Sequence, residues 1–170
     1  METMFKLGML IVFGAFLAGC TGMRSGLVLD TTGPAPASSA PAGSGPGTLI
    51  VYSTGKVNAD FNSRDPNRRE YSDYKILNAD AKLIRHIHNV TDDIFQGPVP
   101  VELPPGKYFV VARSNGYGVV TIPVIIASQR QSILHLDGKD TCPDEALFNQ
   151  TNAVRLPDGE IVGWKSVAAF

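Results

Sequence analysis

Apolar and polar positions divide the chain into stretches of very different character. From Leu7 to Leu17 almost every position is apolar, with Lys6 before the run and the small pair Ala18-Gly19 after it. A basic start, a short apolar core and a small-residue ending describe an exported signal segment. The run is shorter than the about 20 helical residues that span a bilayer. From Thr31 to Gly47 the chain reads TTGPAPASSAPAGSGPG and offers nothing large to bury. Such a segment cannot offset its ordering entropy and reads as a linker, stiffened by proline and loosened by glycine and serine. The stretch Thr21–Asp30 contains Leu27-Val28-Leu29 but is read as part of the same tether.

From Thr48 onward the period changes to that of strands. Thr48–Tyr52, Tyr74–Leu77, Lys82–His88, Pro98–Leu103, Lys107–Arg113, Gly118–Ile126 and Gln131–Leu136 are β-rich or extended runs separated by turn residues. Asn78-Ala79-Asp80-Ala81 joins two of them as a hairpin, and Asn115-Gly116 joins two more. Tyr108, Val110 and Ala112 are placed on one face of their strand, Phe109 and Val111 on the other. Pro104-Pro105-Gly106 predicts a type II bend with glycine at positive φ. Pro123 cannot donate to a ladder, which predicts an edge strand or a bulge there. Asn58–Asp73 is polar with interleaved charge and reads as a long loop. A short helix is predicted from Pro143 to Asn149, with Asp144 and Glu145 in its first turn. A last hairpin, Ala153–Leu156 and Glu160–Val167, turns at Pro157-Asp158-Gly159. The expected fold class is therefore all-β: a small antiparallel sandwich of Greek-key, prealbumin-like character, with one short C-terminal helix and a disordered N-terminal tether.

Charge changes the picture only by exclusion. Fifteen basic against sixteen acidic residues give a formal net charge of -1, with no run of lysine or arginine to neutralise phosphates, so nucleic acid is not an expected partner. The chain has two cysteines, Cys20 and Cys142. If Cys20 is modified, Cys142 has no partner for a disulfide and is read as a buried thiol.

Two resemblances follow from particular residues. Leu17-Ala18-Gly19-Cys20 resembles the lipobox of bacterial lipoproteins. The resemblance implies removal of residues 1–19, acylation of Cys20 and attachment to a membrane through the acyl chains. Thr21 stands where an aspartate tends to retain such proteins at the inner membrane, so the outer membrane is favoured. Val101-Glu102-Leu103-Pro104-Pro105-Gly106-Lys107-Tyr108, then Val110, Ala112, Gly116-Tyr117-Gly118 and Leu134-His135-Leu136, resemble the carboxypeptidase regulatory-like (prealbumin-like) and PEGA sandwich domains. That resemblance implies a non-catalytic module and transfers no catalytic residues. The expected division is signal peptide 1–19, acylated cysteine and linker 20–47, β-sandwich 48–138, and a C-terminal extension 139–170 packed on it.

Candidate chemistry is sparse. His86 and His88 are two apart on one strand and point to one face, and His135 on another strand could complete a three-histidine metal site. The same spacing also suits polar positions alternating with buried ones. Tyr71, Tyr74, Tyr117 and Trp164 are candidates for an aromatic glycan platform. Asn89-Val90-Thr91 and Asn149-Gln150-Thr151 match the glycosylation sequon. No Gly-x-Ser-x-Gly elbow, Cys-x-x-Cys pair or phosphate-binding glycine loop occurs. The expected function is a non-enzymatic structural or protein-interaction module in the cell envelope, without a cofactor, held by its lipid anchor. A carbohydrate-binding surface module and a metal-binding envelope protein are the alternatives.

Overall fold

The computed structural model describes residues 26–36, 44–58, 68–89, 97–138 and 147–166. Their strands are β1 (Leu27–Val28), β2 (Thr32–Gly33), β3 (Gly47–Tyr52), β4 (Gly55–Asn58), β5 (Arg68–Tyr71), β6 (Tyr74–Leu77), β7 (Leu83–Ile87), β8 (Val101–Leu103), β9 (Gly106–Ser114), β10 (Gly118–Ile126), β11 (Gln131–His135), β12 (Ala153–Arg155) and β13 (Ile161–Lys165). The chain is all-β. The helix expected over Pro143–Asn149 falls mainly on residues 139–146, outside the described ones. From Asn149 the chain is a side-chain-capped turn, in which Asn149 Oδ1 accepts from the backbone N–H groups of Thr151 and Asn152. Among the described residues no helix is long and apolar enough to cross a membrane.

The β9–β10 hairpin is the spine. Nine residues pair with nine, from Gly118 against Ser114 to Ile126 against Gly106. Period-2 alternation sends Val110, Ala112, Val120, Ile122, Val124 and Ile126 to one face, where all are buried. β6 pairs with β9 and β7 with β6, both antiparallel. The β6–β7 turn is built by Asn78, whose Oδ1 accepts from the N–H groups of Asp80 and Lys82. A second sheet, in the order β11-β3-β8, combines a parallel pair (β11–β3) with an antiparallel one (β3–β8). Leu49, Val51, Leu103 and Leu134 from this sheet join the inner face of the larger one in a single apolar core. Burying each such side chain contributes about 1.5–3 kcal/mol.

Four expectations are corrected. First, the tether expected over Thr21–Gly47 is in part sheet. β1 lies parallel to β10 at Val120–Thr121, and β2 lies parallel to it at Val124. Leu29 joins the core, and Thr32 is fully buried with its hydroxyl donating to the Pro123 carbonyl at 3.2 Å. Second, Pro123 is not on an edge, because β10 has β9 on one side and β1 and β2 on the other. Thr121 O accepts from Leu29 N–H, so alternate backbone groups of β10, those of Pro123 included, face this N-terminal segment. The missing N–H of Pro123 thus falls beside the gap between β1 and β2, where no ladder bond is required. Third, Gly106 opens β9 at a positive φ as expected, but at 156° rather than the about +80° of a type II turn, so the bend is not of that type. Fourth, within the stretch Asn58–Asp73 expected to be loop, Arg68–Tyr71 form β5, paired with β4.

The C-terminal hairpin, β12 with β13, forms as predicted. It joins the eight-stranded sheet through β2, with Trp164 opposite Gly33 and Lys165 opposite Thr32. Ser166 N–H donates to Thr31 O at 2.9 Å, and Lys165 Nζ stands 2.8 Å from Asp30 Oδ2.

Candidate functional site

β7 is the last strand of the eight-stranded sheet and β8 the last of the three-stranded one. Arg85, on β7, spans the gap and donates from Nη1 to the Glu102 carbonyl of β8 at 3.3 Å. Ile76 pairs with Arg85 and is fully buried, so Arg85 stands on the inward face at the sheet's margin. Beside it an open groove of about 850 Å³ is lined by Arg85, Glu102, Leu103, Pro104 and Pro105, with Ser128 on the far wall. The Tyr108 hydroxyl donates to Pro104 O at 3.0 Å and holds the bend that shapes this groove. β7 itself is exposed, with Leu83 at 51% and Ile84 at 43% accessibility. An exposed edge with apolar side chains is a template for a further strand.

The outer side of β7 carries a polar patch. His88 Nδ1 lies 2.9 Å from Asp73 Oδ2, His86 Nε2 lies 3.8 Å from the same oxygen, and the two rings are 5.0 Å apart. Asp73 Oδ1 accepts from Asn89 N–H at 3.2 Å. Asn89 is fully buried. Its Nδ2 donates to Val51 O and Ser53 Oγ, and its Oδ1 accepts from Val99 N–H. The exposed patch is thereby pinned to β3 of the other sheet. Sequence reasoning missed Asp73, which only the β6–β7 pairing brings to the histidines, and saw Asn89 solely as a sequon. Buried, with both amide hydrogens engaged, Asn89 cannot accept a glycan in the folded protein.

His135 does not join the other two histidines. It is buried on β11, where its ring stacks on Tyr52 at 4.8 Å and 9°. The candidate three-histidine site is thus not formed. Among the described residues no group of three or more His, Cys, Asp or Glu side chains is arranged to hold a metal ion.

The four candidate aromatics do not share a surface. Tyr74 is 1% exposed and belongs to the core, and Tyr71 is buried edge-on against Tyr52. Tyr117 packs on the core margin. Desolvation, reinforced by the Asp158 carboxylate, raises its phenol above the ordinary value. Trp164 stacks on Phe148 at 4.1 Å, which covers one of its faces. The four aromatics offered as candidates for a platform are therefore two buried residues, Tyr71 and Tyr74, and two separate positions, Tyr117 and Trp164, that form no common surface. Cys20 and Cys142 lie outside the described residues.

Compared with known proteins, the chain matches no protein-family model, no curated protein and no solved structure.

Proposed function

We propose that this chain is a lipid-anchored protein of the bacterial cell envelope whose β domain works as a non-catalytic interaction module. The observation that carries the reading is the apolar run from Leu7 ending in Leu17-Ala18-Gly19-Cys20. Acylation of Cys20 by more than one chain gives stable membrane attachment where a single chain would not. Thr21 after the cysteine favours the outer membrane. For the domain, two sheets closing on one core support a sandwich of the carboxypeptidase regulatory-like or PEGA kind, and the Tyr108–Pro104 hydrogen bond supports the turn on which that resemblance rests. The exposed β7 edge, with Leu83 and Ile84 beside the Arg85 groove, supports a protein partner that adds an extended segment.

The anchor is tested by Cys20→Ser. The variant is expected to lose labelling by a fatty-acid probe and to leave the membrane fraction. Equal membrane recovery of both proteins would refute the reading. For the partner, a photo-crosslinking residue at Ile84 should capture an envelope protein in living cells, and one at the exposed turn residue Asp158 should not.

A further inference from the structure

We infer that the domain is leashed close to the bilayer, with the corner formed by Val28 and Val119 turned toward the lipid. The inference rests on the acylation of Cys20 proposed above. If the whole of Cys20–Gly47 were a free tether, the domain could stand roughly 90 Å from its anchor, at about 3.5 Å per residue. The sheet removes most of that reach. Leu27 and Val28 pair with Val120 and Thr121, and Leu29 is in the core. Only residues 21–25 separate Cys20 from Gly26, the first described residue. Six residue-to-residue steps extend at most about 21 Å. The proline- and alanine-rich stretch after Gly33 is then a connection between two sheets, because β2 precedes it and β3 follows it. It does not contribute to the stand-off.

The same geometry says which part faces the membrane. The chain enters beside Val119, close enough that a Cβ on Gly26 would stand 2.8 Å from Val119 O. Val120 and Ile122 point into the core, so Val119 and Thr121 point outward, and Val28, the partner of Thr121, shares their face. Val28 is 65% exposed and Val119 48% exposed, two apolar side chains set diagonally on one face where the leash leaves the fold. The other end of β9–β10, with Gly106 and Ile126, is about 24 Å from Val119 at about 3.4 Å per residue. Pro104, Pro105 and Ser128, which line the groove, lie at that far end. A lipid surface therefore meets the Val28–Val119 corner while the groove is presented to the aqueous compartment.

The test uses the full lipidated chain in phosphatidylcholine vesicles carrying a headgroup-labelled acceptor, with a donor dye on a cysteine at Asn115 or at Lys107 in a Cys142→Ser background. Energy transfer should be stronger from position 115, beside the corner, than from position 107. A Gly/Ser spacer of about twenty residues after Thr21 adds roughly 25 Å and should lower transfer from position 115 by about twofold. The same spacer after Pro36 should leave it unchanged. Equal losses from both insertions would overturn the leash, and transfer from position 107 that equals or exceeds that from 115 would overturn the orientation. Cys20→Ser separates the premise from the inference. A variant that still sediments with the vesicles refutes the acyl anchor, and the leash with it, whatever the spacers do.

Discussion

Tyr74 carries its hydroxyl into the core along with its ring, and among the described residues that hydroxyl has no hydrogen-bond partner. An unpaired buried hydroxyl costs about 1–3 kcal/mol, so Tyr74→Phe should leave the domain as stable as before or more stable by about 1 kcal/mol in denaturant melts. A clear loss would show that the hydroxyl is bonded. Burial also raises the Tyr74 phenol well above its ordinary value of 10. Because the folded state holds this proton more tightly than the unfolded one, its contribution is intact below pH 10 and declines above it. The decline is about 1.4 kcal/mol per pH unit, and the Phe variant should lack it. The position was readable in part: Tyr74 and Ile76 share a strand face, and a face that buries Ile76 buries Tyr74. His135 was less so. Alternation with Leu134 and Leu136 implied an exposed ring, but its cross-strand neighbour Tyr52 covers it. Gly163 is one of the close approaches between the sheets. A Cβ there would stand 2.7 Å from the backbone oxygen of Ile133, so Gly163→Ala should force β13 off β11 and cost about 1–3 kcal/mol.

The hairpins were legible because their signals are local. Asn78 before β7, Asn115-Gly116 after β9 and Asp158-Gly159 after β12 are turn residues set between alternating runs, and each joins the strands expected of it. The parallel pairs were not legible. β3 with β11, and β1 and β2 with β10, join residues some eighty or more positions apart, and no turn chemistry announces such a pairing. Strands of two residues carry no period at all, which is why β1 and β2 read as linker. Asn89 shows how such elements are held in place. From the end of β7 it bonds Val51 of β3 and Val99 of the segment entering β8, so one buried side chain joins three parts of the chain. Asn89→Ala would strand a buried carbonyl and leave Val99 N–H without its acceptor, at about 1–3 kcal/mol for each. The expected outcome is a fall of about 2–4 kcal/mol in unfolding free energy. It should be accompanied by faster amide exchange at Val99, which a purely local loss of helix or turn propensity would not produce.

Removing the segment before Gly47 tests how the sheets depend on one another. Read as a linker with nothing large to bury, that segment was expected to hold no core, so that a chain beginning at Gly47 would melt cooperatively as a β domain. The topology argues otherwise. β2 is the strand between β10 and β13, so without it the C-terminal hairpin loses its place in the eight-stranded sheet and keeps only its packing over β11. Burial of Leu29, worth about 1.5–3 kcal/mol, goes with it, as does the Thr32 bond to Pro123. β10 would then present its proline-bearing side to solvent as an open edge. A chain beginning at Gly26 should match the full-length protein in thermal and denaturant melts, while one beginning at Gly47 should lose at least about 2 kcal/mol. Hydrogen exchange locates the loss. Ser166 N–H, bonded to Thr31 O, should become unprotected, whereas amides of the β9–β10 ladder should keep their protection. If the two chains melt alike and Ser166 stays protected, residues 26–33 do not hold the hairpin. They would then revert to tether, and the short leash drawn from them would lengthen accordingly.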